Sequence, residues 1–188
     1  MSKKYLKIFI FFSAIIIFSV VLRFLPHPPN FTSVGALALI SGLVFKSRLA
    51  VLIAPAVLFL SDIFIGFYDW RVMISVYLGF VLYFGVSKIL GGGKERFFLG
   101  PLAGASIFFI LTNFAVWAFS PMYPQTLEGL ITAYILALPF FKNMILADLA
   151  FFTVFSGALY LILNFSDFKA KIFGLLHFLK KNKVSASF

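Results

Sequence analysis

Residues 72–90 read VMISVYLGFVLYFGVSKIL and residues 97–119 read FFLGPLAGASIFFILTNFAVWAF, with Gly91-Gly92-Gly93-Lys94-Glu95-Arg96 between them. Each apolar block comes close to the about 20 helical residues needed to cross the hydrocarbon core of a bilayer. The insert between them combines glycines with charges and reads as a loop in water. Two bilayer-length blocks joined by a charged glycine loop decide the fold class, and the pattern continues on both sides. Further apolar blocks lie at 5–25, 32–46, 49–67 and 143–164. The sequence therefore predicts an all-α integral membrane bundle of about six transmembrane helices.

Composition points the same way. Of 188 residues, 62% are hydrophobic and only 12% are charged, about half the charged share of a soluble domain. That leaves too little polar surface to clothe a fold in water. The start, Lys3-Lys4-Tyr5-Leu6-Lys7 followed by an apolar run, imitates a secretory signal, but no small-x-small cleavage pattern follows it. It reads as a retained first helix. The chain is expected to form one transmembrane domain, residues 1–166, and a cytoplasmic tail, residues 167–188. From Phe168 to Lys183 that tail alternates lysines with Phe and Leu, the pattern of a basic amphipathic helix lying on anionic lipid.

The formal charge of +10 falls between the apolar blocks, without an aromatic-basic module, so it argues for topology and against nucleic-acid binding. Placing the N-terminus in the cytoplasm puts Lys3, Lys4, Lys7, Lys46, Arg48, Lys88, Lys94, Arg96 and the tail lysines inside. Only Arg23, Arg71 and Lys142 remain outside. With six spans both termini are then cytoplasmic, and the chain is expected to be a multi-pass protein of a bacterial cytoplasmic membrane. The 32–46 block is short and rich in small residues, so it should sit partly shielded by neighbours or thin the bilayer locally. Pro55 should kink the third span. Residues 120–142 form the longest connection, with Leu127 to Phe140 an interfacial or re-entrant helix.

Polar side chains inside spans are costly and need a reason. In this topology they collect toward the outer face: Asp62 in span three, Thr112 and Asn113 in span five, Asn143 and Asp148 at the start of span six. His27 and Asn30 sit in the first outer loop, and Phe67, Tyr68, Trp70, Trp117, Tyr123, Tyr134 and Phe141 border the same layer. Two arrangements satisfy these groups. They line one outward-facing pocket, or Asp62, Asn113 and Asp148 pair with one another and cap helix ends. A proton or ion pathway would need polarity across the full depth, so confinement to one layer favours the pocket. The candidate substrate-binding residues are His27, Asn30, Asp62, Trp70, Asn113, Trp117, Tyr123, Asn143 and Asp148.

Several chemistries drop out. No cysteine is present, which removes disulfides and thiolate metal sites. No phosphate-binding G-x-x-x-x-G-K-[ST] string appears. His27 and His177 fall on opposite sides of the membrane, and Ser106 has no histidine nearby for nucleophilic catalysis. No cofactor or metal is expected. Three functions remain open: a substrate-binding transporter subunit, a scaffold using the small pairs Ala38/Gly42, Ala50/Ala54 and Gly100/Gly104 to hold partners, and a membrane-embedded enzyme. The last lacks a nucleophile or metal set.

The strings Pro26-His27-Pro28-Pro29-Asn30-Phe31-Thr32, Ser61-Asp62-Ile63-Phe64-Ile65-Gly66-Phe67, Thr112-Asn113-Phe114-Ala115-Val116-Trp117 and Pro139-Phe140-Phe141-Lys142-Asn143 resemble a family of small bacterial membrane transport proteins of unknown substrate. The six-span plan is also similar to the substrate-binding S components of energy-coupling-factor (ECF) vitamin transporters. That resemblance implies capture of a vitamin-like micronutrient outside and release inside by tilting, with a coupling subunit and ATPases supplied as separate chains, or action as a solitary component. S components carry an Ala-x-x-x-Ala docking motif in the first helix, where this chain has Phe12-Ser13-Ala14-Ile15-Ile16-Ile17-Phe18. A corrinoid is one candidate among several vitamins, although the corrinoid-specific type uses a cysteine that this chain lacks.

Overall fold

A computed structural model describes residues 3–91 and 93–165. The expected amphipathic tail and His177 lie outside them. Among the described residues every regular element is helical: α1 (Lys3–Leu22), α2 (Val34–Val44), a 3-10 turn (Arg48–Leu52), α3 (Ile53–Ile65), α4 (Trp70–Leu90), α5 (Arg96–Phe119) and α6 (Leu127–Leu163). Five helical stretches are long and apolar enough to cross a membrane, with the 3-10 turn and α3 counted as one.

The bundle buries its few polar side chains in an apolar core and turns large apolar side chains outward. Asp62, Asp148, Ser19, Ser33, Ser41 and Ser61 are at most 2% exposed, while Phe64 is 78% and Ile89 86% exposed. Water would impose the opposite distribution, because burying apolar area drives folding there. An apolar exterior is instead what lipid requires. The buried serines satisfy themselves locally: the Ser41, Ser61 and Ser87 hydroxyls donate to carbonyls three or four residues back in their own helices.

The helices alternate in direction. Lys7 Nζ near the start of α1 donates to the Ile162 carbonyl at the end of α6, 2.9 Å away. Lys88 Nζ near the end of α4 donates to the Phe45 carbonyl just past α2. These ends share one face, termed lower below. Arg23, just past α1, reaches Asp62 near the end of α3 on the opposite, upper face.

The sequence reading and the structure differ in two elements. Span three is divided: Ser47 caps the 3-10 turn by accepting from the Leu49 amide, and α3 starts at Ile53. Pro55 therefore stands in the first turn of α3, where a backbone N–H has no intrahelical acceptor anyway, and the expected mid-span kink is not needed. The second difference is larger. The expected outer helix and span six are one continuous helix of 37 residues that carries Pro139 in its interior. At about 1.5 Å per residue it measures about 55 Å, far more than a hydrocarbon core of about 30 Å. Its early turns lie along α5: the Tyr134 hydroxyl donates to the Ile110 carbonyl at 2.7 Å, and Phe109 packs on Phe141 at 4.6 Å between centroids. Packing against a neighbour lets the helix run through a proline that sequence rules treat as a boundary.

Helix α2 is the centre of the core. Val34 to Gly42 are all buried, as its shortness and small side chains predicted. The small residues serve contacts within the chain. A Cβ at Gly104 would collide with the Tyr83 ring, one at Gly79 with the Phe108 ring, and one at Gly42 with the Ser87 side chain. Close approach between α4 and α5 and between α4 and α2 depends on these three glycines.

Candidate functional site

At 11 residues, α2 rises only about 16 Å, half the thickness of a hydrocarbon core. Its lower end lies level with Lys88 and its upper start abuts Asp148. Helices α3 to α6 continue upward past that start, leaving the space above it unfilled by any helix. A cavity of about 410 Å³ occupies this space, within the usual range for small-molecule sites. Its walls come from α3, α4, α5, α6 and the α1–α2 and α3–α4 loops, and its rim carries Asn30, Tyr68, Met122 and Tyr123. The chain turns into α2 at Asn30, whose φ of 61° is a left-handed conformation that Asn tolerates better than most residues.

One wall is polar. Arg23 Nη2 donates to Asp62 Oδ1 at 2.7 Å, and the Tyr77 hydroxyl donates to Asp62 Oδ2 at 2.9 Å. Asp62 is 2% exposed and stands behind the cavity surface, whereas the Arg23 side chain, 17% exposed, lines it. The carboxylate thus holds the guanidinium against the cavity while balancing its charge. Thr32 and Tyr68 complete this wall. Partial burial, reinforced by the nearby Asp62 charge, pushes the Tyr68 phenol up to about 12. It remains a neutral hydroxyl throughout the physiological range.

The opposite wall is aromatic. Phe80, Phe108, Phe109, Phe140 and Phe141 all face the cavity. Phe80 and Phe108 lie 4.8 Å apart between centroids, and Phe109 also meets Tyr134 at 5.4 Å. Mutual packing of this kind fixes ring orientation before any ligand arrives. Two polar groups of α5 interrupt the wall. The Thr112 hydroxyl is turned back to the Phe108 carbonyl and the Asn113 Nδ2 to the Phe109 carbonyl. Because only the amide nitrogen can donate to a carbonyl, Asn113 Oδ1 is left as an acceptor.

Beneath the cavity lies a buried polar lock. Ser33, at the cap position of α2, spends its hydroxyl on Ser19 rather than on its own helix. The Asp148 carboxyl lies against the start of α2 instead, beside Gly35. Asp148 Oδ2 also accepts from the Tyr83 hydroxyl at 2.5 Å. A side chain of α6 thus braces the start of α2 and is itself held by Tyr83 of α4. Gly35 is required for this approach, since a Cβ there would fall within the carboxyl group.

Of the candidate residues from sequence, Asn30, Asn113 and Tyr123 line the cavity. Asp62 reaches it through Arg23. Asp148 was expected to open span six near the outer face; because α6 begins at Leu127, it lies past the midpoint of that helix and below the cavity, one turn beyond the lining residue Met144. Asn143 donates from Nδ2 to the Pro29 carbonyl at 3.1 Å and ties α6 to the α1–α2 loop. Trp117 Nε1 donates to the Pro124 carbonyl at 3.0 Å, which fastens the α5–α6 turn. Trp70 opens α4 and is 63% exposed. His27 Nδ1 lies 3.0 Å from the Pro28 carbonyl within its own loop. The sequence reading placed Tyr68 and Phe141 at the border of the polar layer without naming them as binding residues, and it missed Arg23, Phe80, Phe108, Phe109 and Phe140. A signal for Arg23 was available, since it is one of only three cations on the cation-poor side. Among 28 phenylalanines, no sequence pattern singles out five.

An all-helical bundle with an apolar exterior, buried carboxyl groups and a small-molecule-sized cavity in one half has the build of a membrane protein. The chain belongs to a family of unknown function, DUF6580, which it matches over residues 3–181. Neither a curated protein nor a solved structure matches it.

Proposed function

We propose that this protein is a membrane-embedded substrate-binding subunit that takes a vitamin-like micronutrient from the outer side of a bacterial cytoplasmic membrane. The observation that carries the reading is the cavity above α2, with its mouth among the upper loops and its base closed by the Asp148 lock. The lower face holds Lys3, Lys4, Lys7, Lys46, Arg48, Lys88, Lys94 and Arg96, and the bias of Lys and Arg toward the cytoplasm assigns that face to the inside. The cavity then opens outward, with both termini inside and α2 counted among six passes. Among the described residues, no histidine lines the cavity to activate its Thr and Tyr hydroxyls, which favours binding over catalysis. The small glycines meet partners within the chain, which weakens a scaffold role. Similarity in size and topology to ECF S components supports delivery to a coupling subunit and its ATPases, or action alone by tilting.

Two measurements test this. Mass spectrometry of small molecules that copurify with the detergent-solubilised protein should detect one compound, reduced in Asn113→Leu, whose apolar side chain removes an acceptor from the wall. Equal amounts in the variant and the wild type would reject the cavity as the binding site. A reporter active only outside the cytoplasm, fused after Phe188, should stay silent. Strong activity there would turn the cavity toward the cytoplasm and reject uptake from outside.

A further inference from the structure

The cavity's two walls differ in kind, and the difference specifies a ligand. On one side Arg23 spends a single guanidinium N–H on Asp62. Its other donors have no protein partner among the described residues, and the Tyr68 hydroxyl beside it donates to none either. On the other side Phe109 and Phe141 line the cavity, their rings packed on one another at 4.6 Å and 31°. One turn along α5 from Phe109, Asn113 Oδ1 is an acceptor without a donor among the described residues. Donors are thus in excess at one end, an acceptor waits at the other, and an aromatic surface lies on the second wall. The electrostatics narrow the choice further. Arg23 is already balanced by Asp62 at 2.7 Å, so a second anion would leave the site with a net negative charge beside a buried carboxylate. A neutral oxygen acceptor uses the unspent N–H groups without that repulsion.

We propose, building on the uptake reading above, that the ligand is an uncharged, ring-bearing molecule. Its carbonyl oxygen, of an amide, lactam or ureide, meets Arg23 and Tyr68. Its flat ring lies on Phe109 and Phe141, and a ring N–H donates to Asn113. An anionic head is disfavoured by Asp62, and a saturated body forfeits the aromatic contact.

Three small probes separate these features: indoleacetamide carries all of them, indoleacetate replaces the neutral head by an anion, and cyclohexylacetamide lacks the flat ring and its N–H. Calorimetry on the detergent-solubilised full chain, cleared of copurified ligand, should show indoleacetamide binding at least about tenfold more tightly than either analogue, the equivalent of one polar contact. Phe109→Leu should narrow the preference over cyclohexylacetamide. Arg23→Gln alone strands Asp62 and risks misfolding, so it is paired with Asp62→Asn; this double variant should lose the affinity for indoleacetamide by a similar factor. Tighter binding of indoleacetate overturns the neutral head, and equal binding of cyclohexylacetamide overturns the ring assignment. If none of the probes binds, the inference falls. A copurified ligand of other chemistry would then leave the uptake reading standing, whereas an empty preparation would remove both.

Discussion

Replacing Tyr83 by Phe removes one oxygen and tests whether the buried lock holds the floor of the cavity. The ring remains and still fits the space left by Gly104, so packing is preserved and the hydrogen bond to Asp148 Oδ2 at 2.5 Å is lost. A buried hydrogen bond contributes about 0.5–1.5 kcal/mol, or about 1.5–3 kcal/mol to a charged group. Polar contacts between membrane helices average about 0.6 kcal/mol, because the unfolded chain in the bilayer also finds partners. Asp148 is 1% exposed and faces protein rather than lipid, so the upper part of the range applies, about 1–3 kcal/mol. Asp148→Asn should cost at least as much. Its amide offers one acceptor oxygen where the carboxyl has two, and it buries an NH₂ in place of the other. The double variant should lose less than the sum, since both changes break one bond. Equilibrium unfolding in mild detergent measures each loss. If both single variants match the wild type within about 0.5 kcal/mol, the ordinary scatter of surface substitutions, the lock does not hold α2 and the reasoning fails.

Three further outcomes follow from the same geometry. Arg23→Met should destabilise by about 3–5 kcal/mol because it leaves Asp62 buried beside Tyr77 alone, and adding Asp62→Leu should recover much of the loss; unfolding of the single and double variants compares them. Gly104→Ala drives a methyl into the Tyr83 ring and should cost about 1–3 kcal/mol through overpacking, whereas Gly157→Ala, where the new Cβ meets nothing within 4 Å, should leave the melting temperature unchanged or raise it. Tyr68, raised from 10.0 to about 12 in the folded state, contributes stability that is fully present below the ordinary phenol range and lost as pH rises through about 12; the alkaline limb of a stability–pH curve should flatten in Tyr68→Phe, and an identical limb in both proteins would contradict the burial argument.

How much could be read in advance depended on how local each cause was. Block length and apolarity are properties of single segments, so the helices at Lys3–Leu22, Trp70–Leu90 and Arg96–Phe119 followed directly from the sequence. So did the burial of most of α2, Val34–Gly42, because a helix too short to span was expected to be sheltered by its neighbours. The continuity of Leu127–Leu163 did not follow. Pro139, Lys142 and Asn143 look like a break, and only the contacts of Tyr134 with Ile110 and of Asn143 with Pro29 make an unbroken helix worth its lost backbone bond.

The site divides along the same line. That Asp62, Asn113 and Asp148 needed partners was evident from the sequence alone, because a polar group inside an apolar span must be satisfied whatever the fold. Which partner each would find was a question of tertiary structure. Asp62 turned to Arg23 and Tyr77, Asp148 to Tyr83 and the start of α2, and Asn113 alone kept an acceptor for the cavity. Transfer energies act residue by residue and can be summed along a chain. Hydrogen bonds and ring packing depend on which helices come within about 3–6 Å of one another, and that was decided by a helix half the membrane's thickness, with the other five closing around it.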